Sequence, residues 1–234
     1  MTAVRRRTAP GSGTGGRAAA RRRKDGPRAR PSAPGYHHGD LANALMVAAE
    51  ALLKEAGLEG FTLREVARRA GVSHGAPAHH FGDARGLLSA LAAQSFAQLA
   101  GAMAARRAAA AAEPFEQLVA TGLAYVDYAL AHRARFQLMF RSDRLDPAHA
   151  ALVEGGARTY AHLIDCIAAL DGGPDRDADA RRQQKTALAW SIVHGYASLL
   201  LDSREFAARV ATSRARALAT LEAMLRRNRE AFLR

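Results

Sequence analysis

The sequence predicts an all-α protein, and three observations carry that expectation. Apolar residues make up 49% of the chain, much of it alanine, while aromatics are only 6%; that balance suits closely packed helices better than sheets. Apolar positions recur at steps of three and four along most of the chain. Helix-start and helix-stop residues stand where those stripes begin and end. A chain of 234 residues is long enough to bury a substantial core. No apolar run approaches the roughly 20 residues of a bilayer-spanning helix. The charged N-terminus is not followed by the apolar segment of a secretory leader. The single cysteine, Cys166, excludes an internal disulfide framework and suits a reducing compartment. The expectation is a soluble, cytoplasmic protein that makes no membrane contact.

The net charge of +12 is unevenly placed. Residues 1–35 hold ten Lys/Arg and one acid, Asp25, a net of +9, which leaves 24 basic and 21 acidic groups for residues 36–234. That first segment is rich in Gly, Pro, Ala and Arg and poor in large apolar side chains, so it is expected to be a disordered basic arm. Two roles stay open for it: a sequence-independent attraction to phosphates, or a solvated tail.

Order is expected from Tyr36. Leu41, Leu45, Ala48, Ala49, Leu52 and Leu53 form one helical stripe closed by Gly57. Thr62-Leu63-Arg64-Glu65 has the T-x-x-E capping-box pattern and opens a second helix, with Val66, Ala67 and Ala70 inward and Gly71 as its stop. After a very short turn at Val72, Ser73 is placed as the cap of a third helix that ends at Phe81. Asp83 then caps a long fourth helix. Two short helices joined at a Gly-containing turn, behind a supporting helix, make a helix-turn-helix unit. Such a unit holds its second helix at the surface, free to enter the DNA major groove. His74, His79 and His80, three of the nine histidines, are thereby placed on the outer face of a reading helix.

The run from Tyr36 to about Leu99 resembles the DNA-binding domain of the tetracycline-repressor (TetR) family of transcriptional regulators. The resemblance rests on the helix ending in Gly, the T-x-x-E start, Ala70-Gly71-Val72-Ser73, and His80-Phe81 before the fourth helix. Further on, AWSIVHGYASLLLD, with Trp190, His194 and Gly195, resembles the Trp-His-Gly C-terminal domain of one subgroup of that family. Residues 131–140, AHRARFQLMF, are similar to that subgroup as well. The resemblance implies a homodimer that binds a palindromic double-stranded DNA operator and is released by a small-molecule effector, hence a nucleoid-associated repressor. It places Thr62 and His80 at phosphates, and Arg64, His74, Gly75 and His79 at base edges. Ala78 stands where members usually carry Tyr, and Ala84 where Lys is common. Either residues 1–35 or Arg85, next to the second, is expected to compensate. With Ser73, these residues complete the expected DNA surface.

Rival chemistries fit the same residues less well. His79 and His80 are adjacent, so they diverge by about 100° on a helix, and His74 and His79 are five apart. None forms the i, i+4 pair of a helical zinc site. No G-x-S-x-G, P-loop or G-x-G-x-x-G pattern occurs, so no enzyme, metal or cofactor is expected. A sequence-independent DNA-packaging protein is the stronger alternative, because residues 1–35 are basic. It would have no need of the nearly charge-balanced C-terminal half.

That half, residues 100–234, is expected to bind ligand and to dimerise. The fourth helix continues through its alanine-rich stretch, and Pro114 starts a fifth that runs to about 132. A short piece at 136–140 follows, then helices at 147–170, 181–201 and 205–232, with DGGPDRDADA as the loop before the penultimate one. Tyr125, Phe136, Phe140, Tyr160, Trp190 and His194 are candidate walls of an apolar effector pocket, although the same spacing fits plain core packing. Leu188, Ile192 and Leu199, with Phe206, Val210, Ala217, Leu221 and Leu225, form stripes on the last two helices. They are expected to close a four-helix bundle with a second chain.

Overall fold

The computed structural model describes residues 38–171 and 178–233, so the expectations for residues 1–35 lie outside the described part. Among the described residues all regular structure is α-helical, in eleven helices. α1 (His38–Ala56) buries Leu45, Ala49 and Leu52 and is closed by Gly57 at φ 66°. α2 (Leu63–Ala70) starts where the Thr62 hydroxyl accepts the Glu65 amide at 3.3 Å. It ends at Gly71, φ 69°, where the amides of Gly71 and Val72 return to the Arg68 and Ala67 carbonyls. That closure needs a left-handed residue, which glycine supplies without strain. Leu45, Leu52, Val66 and Leu87 form the small core of this part, each burial contributing about 1.5–3 kcal/mol.

α3 (Ala76–Phe81) starts two residues later than the Ser73 cap would put it. Gly75 takes the cap position without a side-chain bond, and Ser73 contributes only its carbonyl, to the Ala76 amide at 3.0 Å. Pro77 explains the shift. A start at Ser73 would put the proline in the interior, whereas a start at Ala76 puts it in the first turn, where no amide hydrogen is required. His74 therefore lies in the turn, not on the helix. α4 (Ala84–Ala108) is capped by Asp83, whose carboxylate accepts the Gly86 amide at 2.8 Å. A Cβ at Gly86 would lie 1.9 Å from the Phe81 carbonyl oxygen, so this close approach requires glycine.

α4 is the spine of the fold. Leu87 enters the core under α1 and α2, while Leu99 and Met103 enter the larger core of the C-terminal half. The division expected between residues 99 and 100 thus falls inside one continuous helix. By length and composition α4 could cross a membrane, contrary to the expectation from the apolar runs. More than half of its apolar window is buried inside the protein, as in the central helix of a packed core.

α5 (Pro114–Ala131) is the most enclosed helix, with every residue from Leu118 to Val126 buried. α6 (Arg133–Met139) follows directly. α7 (Ala150–Leu170) begins three residues after the expected Pro147, because His149 rather than the proline caps it. α8 (Ala178–Asp202) begins three residues earlier than expected and ends one later. The expected final helix is broken into α9 (Arg204–Val210), α10 (Arg214–Arg227) and α11 (Arg229–Leu233). Ser203 and Ser213 cap the first two, accepting the amides of Phe206 and Arg216 at 3.2 Å each, and the chain leaves helical geometry at Ala211. The serine after Thr212 was a start signal hidden inside an apolar stripe.

One consequence corrects the expected dimer seam. Ala217, Leu221 and Leu225 are fully buried against the subunit's own core, where Tyr196 donates to the Ala217 carbonyl at 3.1 Å. They are not available to a second chain.

Candidate nucleic-acid interface and aromatic cluster

The helix-turn-helix presents most of the expected residues to solvent. Thr62, Arg64, Ser73, His74, Gly75 and His79 are exposed, and His80 is half-buried. His79 and His80 meet edge to face with ring centroids 5.8 Å apart, and His80 lies 6.2 Å from Phe81. Among the described residues no three His, Cys, Asp or Glu side chains gather in a metal-holding group.

The three arginines of α2 differ in availability. Arg68 is bound by the Glu65 carboxylate at 2.6 and 2.7 Å, and Arg69 by Glu65 at 2.8 Å and Glu55 at 2.7 Å. These guanidinium bonds hold the Glu65 carboxyl down at about 2. Glu65 therefore serves the arginines, in addition to offering its amide to the Thr62 cap. Arg64 is exposed and has no ion pair or hydrogen bond among the described residues. Arg85 is exposed as well, but one of its nitrogens donates to the Leu145 carbonyl at 2.5 Å, a tie to the segment before α7. Its guanidinium is partly engaged within the chain, which sequence alone did not show.

The six candidate ligand residues do come together. Trp190 and His194, one turn apart on α8, stack with ring centroids 4.9 Å apart and planes 15° from parallel. Phe140 packs 4.5 Å from His194, Phe136 lies 5.1 Å from Phe140 and 5.3 Å from Tyr125, and Tyr160 lies 5.8 Å from Trp190. Tyr125 is buried and its hydroxyl lies 2.9 Å from His194 Nδ1. Burial pushes the Tyr125 phenol far up and the His194 imidazole down, with Asp202 opposing the latter. Both groups are therefore held uncharged.

The cluster borders several spaces, among them open grooves of ≈340 Å³ beside Phe140 and ≈670 Å³ beside Tyr160 and Trp190. On its inner side lies an apolar void of only ≈30 Å³, bounded by Tyr125, Tyr160, Trp190 and Gly122 among others. On another side a groove of ≈470 Å³ opens between α1, α6 and α8, with Phe136, Phe140 and His194 on its wall.

Sequence reasoning missed a buried polar network beside this groove. Arg135 of α6 donates to Gln98 of α4 at 2.6 Å and to Glu50 of α1, and its Nε is buried without a partner. Desolvation raises the Glu50 carboxyl, but the bonds from Arg135 and Lys54 outweigh it and hold it below its usual value. The only signal in the sequence was Glu50, a glutamate between Ala49 and Leu52 of the α1 stripe, which reads as an ordinary solvated position.

The chain matches the model of the bacterial regulatory proteins of the tetR family over residues 45–91 and that of the tetracyclin repressor-like C-terminal domain over residues 118–228. It is 44% identical over 75 residues to an HTH-type transcriptional regulator BetI of Burkholderia mallei (strain NCTC 10229), 32% of this chain and 38% of that protein. The match therefore spans well under half the length of that relative. A protein with unknown function from Rhodococcus sp. RHA1 has a similar structure, with 32% identity, a TM-score of 0.62, and coverage of 82% of this chain and 96% of that one. The TetR family transcriptional regulator PfmR from Thermus thermophilus shares the fold, with 20% identity, a TM-score of 0.57, and coverage of 86% and 97%.

Proposed function

Given that the chain belongs to the tetracycline-repressor family, we propose that it is an operator-binding repressor released by a small-molecule effector. The observation that carries the DNA half of this reading is the helix-turn-helix itself. It exposes Thr62, Arg64, Ser73, His74, Gly75 and His79 together, and of the three α2 arginines only Arg64 is left without a partner among the described residues. Arg64, His74, Gly75 and His79 are assigned to base edges, and Thr62 and His80 to phosphates. A guanidinium free of internal carboxylates can form the bidentate contact to guanine that reads sequence. Arg85 is assigned a phosphate through the donors that Leu145 leaves free.

Two reading helices must stand about 34–36 Å apart to meet successive major grooves, so the functional unit is a homodimer. With Ala217, Leu221 and Leu225 enclosed, the dimer surface is assigned to the outer stripe of α8, Leu188, Ile192, Gly195 and Leu199, extended by Phe206 and Val210 of α9. Leu199 is 49% exposed.

Effector binding is assigned to the cluster of Tyr125, Phe136, Phe140, Tyr160, Trp190 and His194, with Trp190, His194 and Gly195 read as the Trp-His-Gly signature. An effector shifts the equilibrium only by binding the released conformation better than the operator-bound one. Enrichment of random duplexes on the purified chain tests the reading as a whole. A palindromic site whose half-sites are one helical turn apart supports it, and recovery of unrelated sequences in proportion to input overturns it.

A further inference from the structure

The inner void, at ≈30 Å³, holds about one water. The grooves beside Phe140, beside Tyr160 and Trp190, and between α1, α6 and α8, at ≈340, ≈670 and ≈470 Å³, all fall within the roughly 300–1,000 Å³ of small-molecule sites, so the chemistry of the walls decides among them. His194 lines the groove between α1, α6 and α8 and none of these other spaces, so its free ring atom is what an occupant of that groove meets.

Hydrogen-bond accounting identifies that atom. Tyr125 is buried against the rings of Phe136 and Trp190, and His194 Nδ1 is its one hydrogen-bond partner among the described residues. Were Nδ1 to carry the proton, the tyrosine's own O–H would be left unpaired in apolar surroundings, at a cost of about 1–3 kcal/mol. The hydroxyl therefore donates to Nδ1, and the neutral imidazole carries its proton on Nε2. That Nε2–H has no partner among the described residues.

The rest of the groove sets the character of the occupant. Leu53, Phe136, Phe140 and Leu201 supply apolar wall, and Ser198 a hydroxyl. Glu59 and Asp202 line the same space, while Arg141 is held bidentately by Asp143 at 2.8 and 2.9 Å. An anion would meet two carboxylates there, Glu59 paired with Arg144 at 2.5 Å and Asp202 accepting from Gln137 at 2.8 Å, and the one lining guanidinium is already engaged. We infer that this groove is the effector site and that it takes a small neutral molecule with an apolar body and a carbonyl-type acceptor, read by the His194 Nε2–H. The inference rests on the regulator reading above. It also gives that reading a route, because Leu53 lies near the end of α1, the helix that supports the reading unit, and Gly57–Glu59 in the turn that leads from it toward α2, while the opposite walls belong to α6 and α8.

Trp190 is the sole tryptophan and stacks on His194, so its emission reports occupancy of the groove through that ring. The full chain is titrated with benzylacetone, with n-butylbenzene (the same skeleton without the carbonyl) and with 4-phenylbutanoate. The wild type is compared with the Tyr125→Phe/His194→Phe double variant, which removes donor and acceptor together, and with Ser198→Phe, which narrows the groove alone. Benzylacetone is expected to saturate and to lose about five- to tenfold in affinity in the double variant, while n-butylbenzene is unchanged there. The carboxylate is expected to bind more weakly than the ketone, and Ser198→Phe to abolish all three responses. Equal benzylacetone affinity in wild type and double variant, no saturable response at all, or full binding to Ser198→Phe overturns the assignment. Ser198→Phe carries the test alone should the double variant not fold. Operator binding by the wild type is measured in parallel. If it is intact, any of those failures counts against the groove only, whereas its absence counts against the regulator reading.

Discussion

Arg64 and Arg68 stand four apart on α2, both exposed, yet only Arg68 is held by a carboxylate. Arg64→Ala is therefore expected to cost about 1–3 kcal/mol on the selected operator and much less on random duplex, measured by equilibrium binding at one salt concentration. An equal loss on both DNAs would reassign Arg64 to phosphate positioning. His194 offers a second test at this scale, on stability. His194→Ala leaves the buried Tyr125 hydroxyl without its acceptor and opens space beside Trp190, so it should lower stability by about 1–3 kcal/mol in a thermal or denaturant melt. Adding Tyr125→Phe to His194→Phe removes donor and acceptor together and should recover most of that loss. If the paired variant is no more stable than His194→Ala, the hydrogen bond is not what the pair contributes. The six aromatic and histidine positions were legible from their size and helical spacing. Their hydrogen bond was not, because it joins residues 69 apart in sequence, and no local pattern encodes which tyrosine faces which histidine.

α2 shows why starts and stops were read more reliably than lengths. Thr62 and Gly71 act within a few residues of themselves, and both are found where the T-x-x-E and A-G-V patterns put them. The start of α3 and the break at Ala211 depended on a competition between signals: Pro77 against Ser73, and Ser213 against a continuous apolar stripe. The same short helix carries a pH prediction. The Glu65 carboxyl is held at about 2 in the folded chain, against a usual 4.5, by its bonds to Arg68 and Arg69. A carboxylate with a depressed folded value stabilises the fold fully above its unfolded value and loses that contribution as pH falls through the folded one. The stability difference between wild type and Glu65→Gln, followed by urea melts at each pH, should thus be constant above about pH 5 and shrink progressively between about pH 4.5 and pH 2. A difference that stays level down to pH 2 would show that the arginines do not stabilise the ionised form.

For the whole molecule, the choice of surfaces followed from what the subunit already encloses. Composition and periodicity identified the stripes on the last helices, but periodicity marks a face as apolar without saying which chain covers it. In the structure α10 turns its stripe inward, and the outer stripe of α8 is what remains. A homodimer is expected in sedimentation at micromolar concentration without DNA, and Leu199→Glu should shift it toward monomer while leaving the far-ultraviolet helical signal intact. Leu221→Glu should instead unfold the subunit, since it places a charge in a fully buried position. A wild-type monomer at that concentration would remove the basis for a two-half-site operator. The segment with the largest charge excess, residues 1–35 at +9, is expected to add a term that no fold detail changes. Each phosphate that a cationic side chain neutralises releases counterions, so its contribution appears as the slope of log affinity against log salt rather than as sequence preference. A chain beginning at residue 36 should bind the operator and random duplex more weakly by a similar factor and show a flatter salt slope. Its preference for the operator over random duplex should stay nearly the same. If the slope is unchanged, those ten basic residues do not touch DNA, and the whole of the electrostatic attraction belongs to the helix-turn-helix.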